Sequence, residues 1–97
     1  MREYLFLMHD DSVAAEAPWE PYLRKLKASG AFVGGSVIGD GVCARKTAAP
    51  APLTPHLVGF IRVNADSLAA ARSLLPGNPV FEAGGTVEIR ELPRTDE

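Results

Sequence analysis

Cysteine is nearly absent from this sequence, with Cys43 the only one in 97 residues. No disulfide can form within one chain, zinc sites built from several thiolates are excluded, and a reducing cytoplasm is the expected setting. Long apolar runs are lacking too. No stretch approaches the roughly 18 to 20 residues that a membrane span needs, and EYLFLM after Arg2 is too short for the apolar region of a signal peptide. An excess of one charge is also missing. Ten basic and twelve acidic residues leave a net charge of −2, and the basic residues cluster only as the pairs Arg24-Lys25 and Arg45-Lys46. That removes the electrostatic signature of nucleic-acid or membrane-surface binding. No metal and no cofactor are expected.

What is present is an ordinary globular composition, 46% hydrophobic and 23% charged in a 10.3 kDa chain. That predicts one domain over residues 1–97, near the small end of sizes that fold on a single core. EYLFLM, residues 3 to 8, reads as a strand apolar on both faces, with Tyr4, Phe6 and Met8 on one and Leu5 and Leu7 on the other. In PWEPYLRKLKASG, residues Trp19, Tyr22, Leu23 and Leu26 take the i, i+3, i+4, i+7 spacing of an amphipathic helix. Pro18 and Pro21 fit its first turn, and Gly30 is a natural left-handed stop.

AFVGGSVI and VCARK flank Gly39-Asp40-Gly41, which predicts a tight hairpin of two strands. Gly34 and Gly35 inside the first run suggest a bulge or a close approach by another group. TAAPAPLTP, residues 47 to 55, is expected to be a mobile loop. HLVGFIRV returns to strand character, with Leu57, Ile61 and Val63 on one face and Val58 and Phe60 on the other. Asp66 or Ser67 caps a second helix, SLAAARSLL, whose stripe is Leu68, Ala71, Leu74 and Leu75. NPVFEAGG is a turn with about one helical turn, and TVEIREL alternates as a last strand.

The order β-α-β-β-α-β suits an α+β fold, an antiparallel sheet with two helices on one face. Two helices cover one side only, yet the first and third strands are apolar on both. The uncovered side predicts a partner interface, most simply a symmetric homodimer.

Four stretches, YLFLMHDD, YLRKLKASGAFVGG, GFIRVNADSLAAARSLLPGNPVF and AGGTVEIREL, resemble the YCII-related family, with a lean toward its DGPF-type relatives. These belong to the dimeric α+β barrel superfamily of ferredoxin-like folds. The resemblance spans most of the chain and rests on strand, cap and glycine patterns in matching order. It implies a homodimer whose sheets face each other with the helices outside. It also implies small-molecule chemistry, since some relatives are lyase or dehalogenase-like enzymes with a proposed His and Asp pair. The family His lies early in the first helix, where this sequence has Trp19. The family Asp falls in the neighbourhood of Asp40, and no literal Asp-Gly-Pro-Phe motif is present.

The candidate catalytic residues are His9, Asp11 and Asp40. An imidazole beside a carboxylate can move protons, and on an extended chain His9 faces the same side as Asp11 rather than Asp10. The plainer reading makes all of them strand-end and turn polars. The candidate ligand-binding residues are Arg62, His56 and Trp19. Arg62 interrupts an apolar strand and calls for a carboxylate (Glu82, Glu88 or one from a partner subunit) or an anionic ligand. His56 opens a strand beside the Pro-rich loop, and Trp19 is equally a core residue. GDGVCA matches a dinucleotide fingerprint but runs into an expected strand instead of opening a helix, and GGSVIGD lacks the lysine of a P-loop. Cys43 reads as a packed, inert thiol.

Two functions follow as expectations. One is a homodimer that binds a small anionic or carbonyl-bearing molecule in a cleft by the sheet, with lyase or isomerase-type proton transfer. It requires His9, Asp11, His56 or Arg62 to converge on one cavity. The alternative is a non-catalytic dimeric binding or regulatory module.

Overall fold

The computed structural model describes residues 1–93. Apolar alternation is the first organising force. β1 (Arg2–His9) buries Tyr4, Phe6 and Met8 on one face and leaves Leu5 and Leu7 half-buried on the other. Helix α1 (Glu20–Ser29) buries Tyr22 and Leu26, while Trp19 and Leu23 pack partly against the core. The expected stripe is therefore the one that meets the sheet. Pro21 sits in the first turn, where no intrahelical N–H is lost. Gly30 ends the helix in the left-handed region at φ 81°, its N–H donating to the Lys27 carbonyl.

β2 (Phe32–Val37), β3 (Leu57–Ala65) and β4 (Val87–Leu92) complete a four-stranded antiparallel sheet in the order β2-β3-β1-β4. The sheet is not closed into a barrel. Three helices accompany it where two were expected. α2 (Leu68–Arg72) is followed by the single turn α3 (Pro79–Glu82). Ile61 and Val63 from β3 join the β1 residues beneath Tyr22, Leu26, Leu75 and Val80, so this face of the sheet carries the core. The order is compatible with a ferredoxin-like arrangement. No helix among the described residues is long and apolar enough to cross a membrane.

Two expectations are corrected by the packing. VCARK is no strand, and the hairpin through Gly39-Asp40-Gly41 does not form. β2 pairs instead with β3 across a connection of residues 38–56. The reason is apolar area: β3 offers buried Ile61 and Val63, whereas VCARK has one large aliphatic residue, Val42, which remains 88% exposed. A strand without a face to bury gains little from pairing. The second helix is also shorter than SLAAARSLL. Ser67 caps it, accepting from the Ala70 N–H at 3.0 Å, but Ser73 Oγ donates back to the Ala70 carbonyl at 2.6 Å. Leu74 and Leu75 then donate three residues back, to Ala71 and Arg72, tightening the chain ahead of Pro76, which disfavours helix at Leu75. Of the expected stripe Ala71 and Leu75 are buried, whereas Leu68 is 56% exposed and does not join the buried face.

The β2 glycines do two different things. The register shifts between Phe32 and Gly34, a bulge around Val33. At Gly35 a Cβ would stand 2.6 Å from the Phe60 carbonyl oxygen, so β2 can approach β3 only without a side chain there.

Candidate functional site

A groove of about 480 Å³ opens between the core face of the sheet and the segment leading into α1. Met8, Trp19, Leu23, Phe32, Ile61 and Val80 supply its apolar lining, and Glu16 is its one ionisable lining residue among the described ones. Each wall has a local cause. Trp19 is the N-cap residue of α1 but makes no side-chain cap bond. Its indole meets Tyr22 edge-on at 6.0 Å between ring centroids. Gly35 and Gly59 supply backbone to the floor at the β2–β3 end, where the two strands lie too close for a Cβ on Gly35. Glu16 accepts from Ser12 Oγ at 2.8 Å, a turn contact that holds the carboxylate at the rim.

The α3 end of the groove is set by Asn78, which is fully buried. Its Oδ1 accepts from the backbone N–H groups of Val80 and Phe81, both at 3.0 Å. This carries out the Asn-Pro turn anticipated in NPVF, with Pro79 at the first helical position. The neighbouring Tyr22 hydroxyl donates to the Leu74 carbonyl at 2.8 Å. Burial pushes the Tyr22 hydroxyl above its ordinary range, opposed by Asn78. The Asn78 amide nitrogen is buried and makes no hydrogen bond among the described residues.

A second cluster lies at the end of β1. His9 Nε2 is 3.1 Å from Glu88 Oε1 on β4, and Arg90 donates to the other Glu88 oxygen at 3.1 Å. Arg90, then His9, draws the Glu88 carboxyl below its ordinary value. The His9 and His56 rings meet at 4.7 Å, because Asp10 N–H donates to the His56 carbonyl at 2.7 Å and ties the two strand ends together. Asp11 spends both oxygens on Thr86, accepting from its N–H at 2.7 Å and its hydroxyl at 2.6 Å. Those bonds hold the Asp11 carboxyl below the usual range, with His9 a smaller influence.

The six residues singled out in the sequence thus occupy separate places. Trp19 lines the groove, and His9 and His56 touch each other. Asp11 lies nearby as a clamp on β4. Arg62 pairs with Glu3, a carboxylate other than those anticipated. It sits opposite Leu5, four residues and about 13 Å along β1 from His9. Asp40 is exposed in the 38–56 connection. Neither histidine, nor Asp11, Asp40 or Arg62, lines the groove. Reading the sequence missed Met8, Leu23 and Phe32 as lining residues. Their helix and strand periodicity marks them as apolar, but periodicity cannot tell a packed contact from an open one. No group of three or more His, Cys, Asp or Glu residues suited to a metal occurs among the described residues. Compared with protein-family models and with curated proteins, the sequence matches none.

Proposed function

We infer that this chain is a small homodimeric protein of the ferredoxin-like, YCII-related kind whose groove binds a small, predominantly apolar, uncharged molecule. The observation that carries the reading is the groove itself. Its volume of about 480 Å³ falls within the roughly 300 to 1,000 Å³ of small-molecule sites, and apolar walls with few polar groups are their usual lining. Among the described residues no cation lines it and Glu16 is at its rim, so a neutral carbonyl-bearing or hydrocarbon-rich ligand suits it better than an anion.

Trp19 favours binding over proton transfer. It stands where the resemblance expects a histidine, and an indole N–H donates a hydrogen bond but does not titrate near neutral pH. His9 and His56 stand outside the groove, and the reading needs neither of them. The homodimer is supported by the face opposite the core, where Leu5, Leu7 and Phe60 are half-buried and Val58 is exposed. The strand order β2-β3-β1-β4 supports the ferredoxin-like assignment.

Trp19 is the one tryptophan of the chain, so its emission reports on the groove directly. Titration with the neutral fluorophore 1-aminoanthracene is expected to give saturable energy transfer from Trp19 at micromolar concentration. Leu23→Ser, checked for native circular dichroism, is expected to weaken it about tenfold, in line with the loss of one large apolar contact. No saturable transfer, or an unchanged affinity in Leu23→Ser, overturns the reading.

A further inference from the structure

The connection between β2 and β3 is too long and too exposed to be a simple turn. Its two ends are pinned to the body: Ile38 N–H donates to the Val58 carbonyl at 3.0 Å, and the His56 carbonyl accepts from Asp10 N–H at 2.7 Å. Between them, residues 39–55 contribute no backbone hydrogen bond to the rest of the chain among the described residues. All of them except Cys43 are exposed. Structureless connections beyond about 12 to 15 residues are uncommon in compact domains and usually carry function.

The segment nevertheless has shape. A Cβ on Gly41 would lie 3.7 Å from Leu53 Cδ1, so the outgoing and returning limbs run side by side as a finger. Pro50, Pro52 and Pro55 stiffen the returning limb and lower the entropy lost when it is held extended. Its apolar side chains point away from the core: Val42 is 88% and Leu53 48% exposed. Arg45 and Lys46 near its tip form no ion pair among the described residues.

The dimensions of the chain exceed those of a compact body. The radius of gyration is 15.0 Å, against about 12.5 Å for a compact chain of this length. The thinnest dimension is only 20 Å, while the other two are 46 and 42 Å. A sheet with one helix layer accounts for the 20 Å, and a nine-residue strand spans about 30 Å. The finger therefore adds to the long dimensions of the molecule, and the face of Leu5, Leu7 and Phe60 stays partly exposed to solvent. The finger does not close its own groove either, since no residue from 39 to 56 lines that groove.

We propose that residues 38–56 form an arm that packs against a second copy of this chain and completes the dimer begun by the open sheet face. Area is the argument. Four strands about 4.8 Å apart, paired over about seven residues, have a flat footprint of roughly 450 Å², and Arg62, Glu88 and Arg90 occupy part of it. A stable interface needs about 800 Å² per partner. The sheet face alone falls short, and an overhanging arm with exposed Val42 and Leu53 supplies the difference from each copy. A two-fold arrangement uses both arms identically, which matches the isologous contact expected of a homodimer.

The inference rests on the homodimer of the proposed function, and the experiment separates the two. Sedimentation equilibrium is run on the parent chain, on a variant with residues 41–53 replaced by Gly-Ser-Gly, and on the full-length double variant Val42→Asp, Leu53→Asp. The expected result is a parent dimer of twice 10.3 kDa, with both variants at least tenfold weaker in self-association and native in circular dichroism. The double variant keeps the chain length and so answers the case in which the shortened chain does not fold. A parent chain that stays monomeric overturns arm and dimer together. A parent dimer with both variants equally tight overturns the arm alone.

Discussion

Asp11 shows how a residue can look catalytic in sequence and act as a clamp in the fold. Both of its oxygens accept from Thr86, 75 positions away, so the turn after β1 is fastened to the entry of β4. Its carboxyl is held below the ordinary range chiefly by those bonds. A depressed carboxyl contributes stability that is present above the unfolded-state value and lost as pH falls through the lower folded-state value. Asp11→Asn is thus expected to be less stable than the parent at pH 7, with the gap closing as pH falls below about 4. Urea midpoints at pH 7 and pH 3 measure this, and a gap of equal size at both would show that the charge contributes nothing. His9 has a comparable long reach, to Glu88 across 79 positions. Its position next to Asp10 and Asp11 in sequence was legible, but its partner was not, because adjacency along a strand says nothing about the neighbouring strand.

Strand pairing is decided at glycine in β2. A side chain on Gly35 would meet the Phe60 carbonyl at 2.6 Å, whereas nothing lies within 4 Å of one on Gly34. Gly35→Ala is expected to cost about 1 to 3 kcal/mol, as overpacking against backbone does, and Gly34→Ala to stay within about 0.5 kcal/mol, as an open site does. Guanidinium denaturation of both variants checks the difference, and equal effects would show that β2 is free to move off β3. The double glycine was legible as a bulge or close approach, and the structure contains both, the bulge at Val33 and the close approach at Gly35. The VCARK strand was a misreading of the same stretch. Local composition allowed a hairpin, but β3 buries more apolar surface against the core and takes the pairing edge of β2.

On the scale of the whole molecule, the two faces of the sheet divide the work. One carries the core and the groove under α1. The other places Leu5 between Arg62 and Arg90, and Leu7 between Phe60 and Glu88, with the charges paired as Arg62–Glu3 and His9–Glu88–Arg90. In the proposed dimer these charges, matched within the chain, need no counter-charge from the partner, and apolar contact drives association. Leu7→Glu is expected to shift the particle from twice the chain mass to the chain mass at about 20 μM, without loss of secondary structure, because a carboxylate at the centre of an apolar interface has no partner. Size-exclusion chromatography with light scattering gives the mass, and an undisturbed dimer would place the interface elsewhere.

Chain-local physics determined a good part of this protein. Helix α1, its stripe and its Gly30 stop follow from 3.6-residue periodicity and left-handed backbone freedom. The two-faced apolar strands β1 and β3 follow from period-two alternation, and the cap of α3 from Asn-Pro. These signals lie within a few residues of one another, so the sequence alone contains them. Only the tertiary structure decided that β2 pairs with β3 across a 19-residue connection, that Trp19 faces a groove instead of a filled core, and that Asp11 is spent on Thr86 at the entry of β4 and His9 on Glu88. Those outcomes depend on which distant surfaces compete best for burial and hydrogen bonds, a comparison made across the whole chain at once.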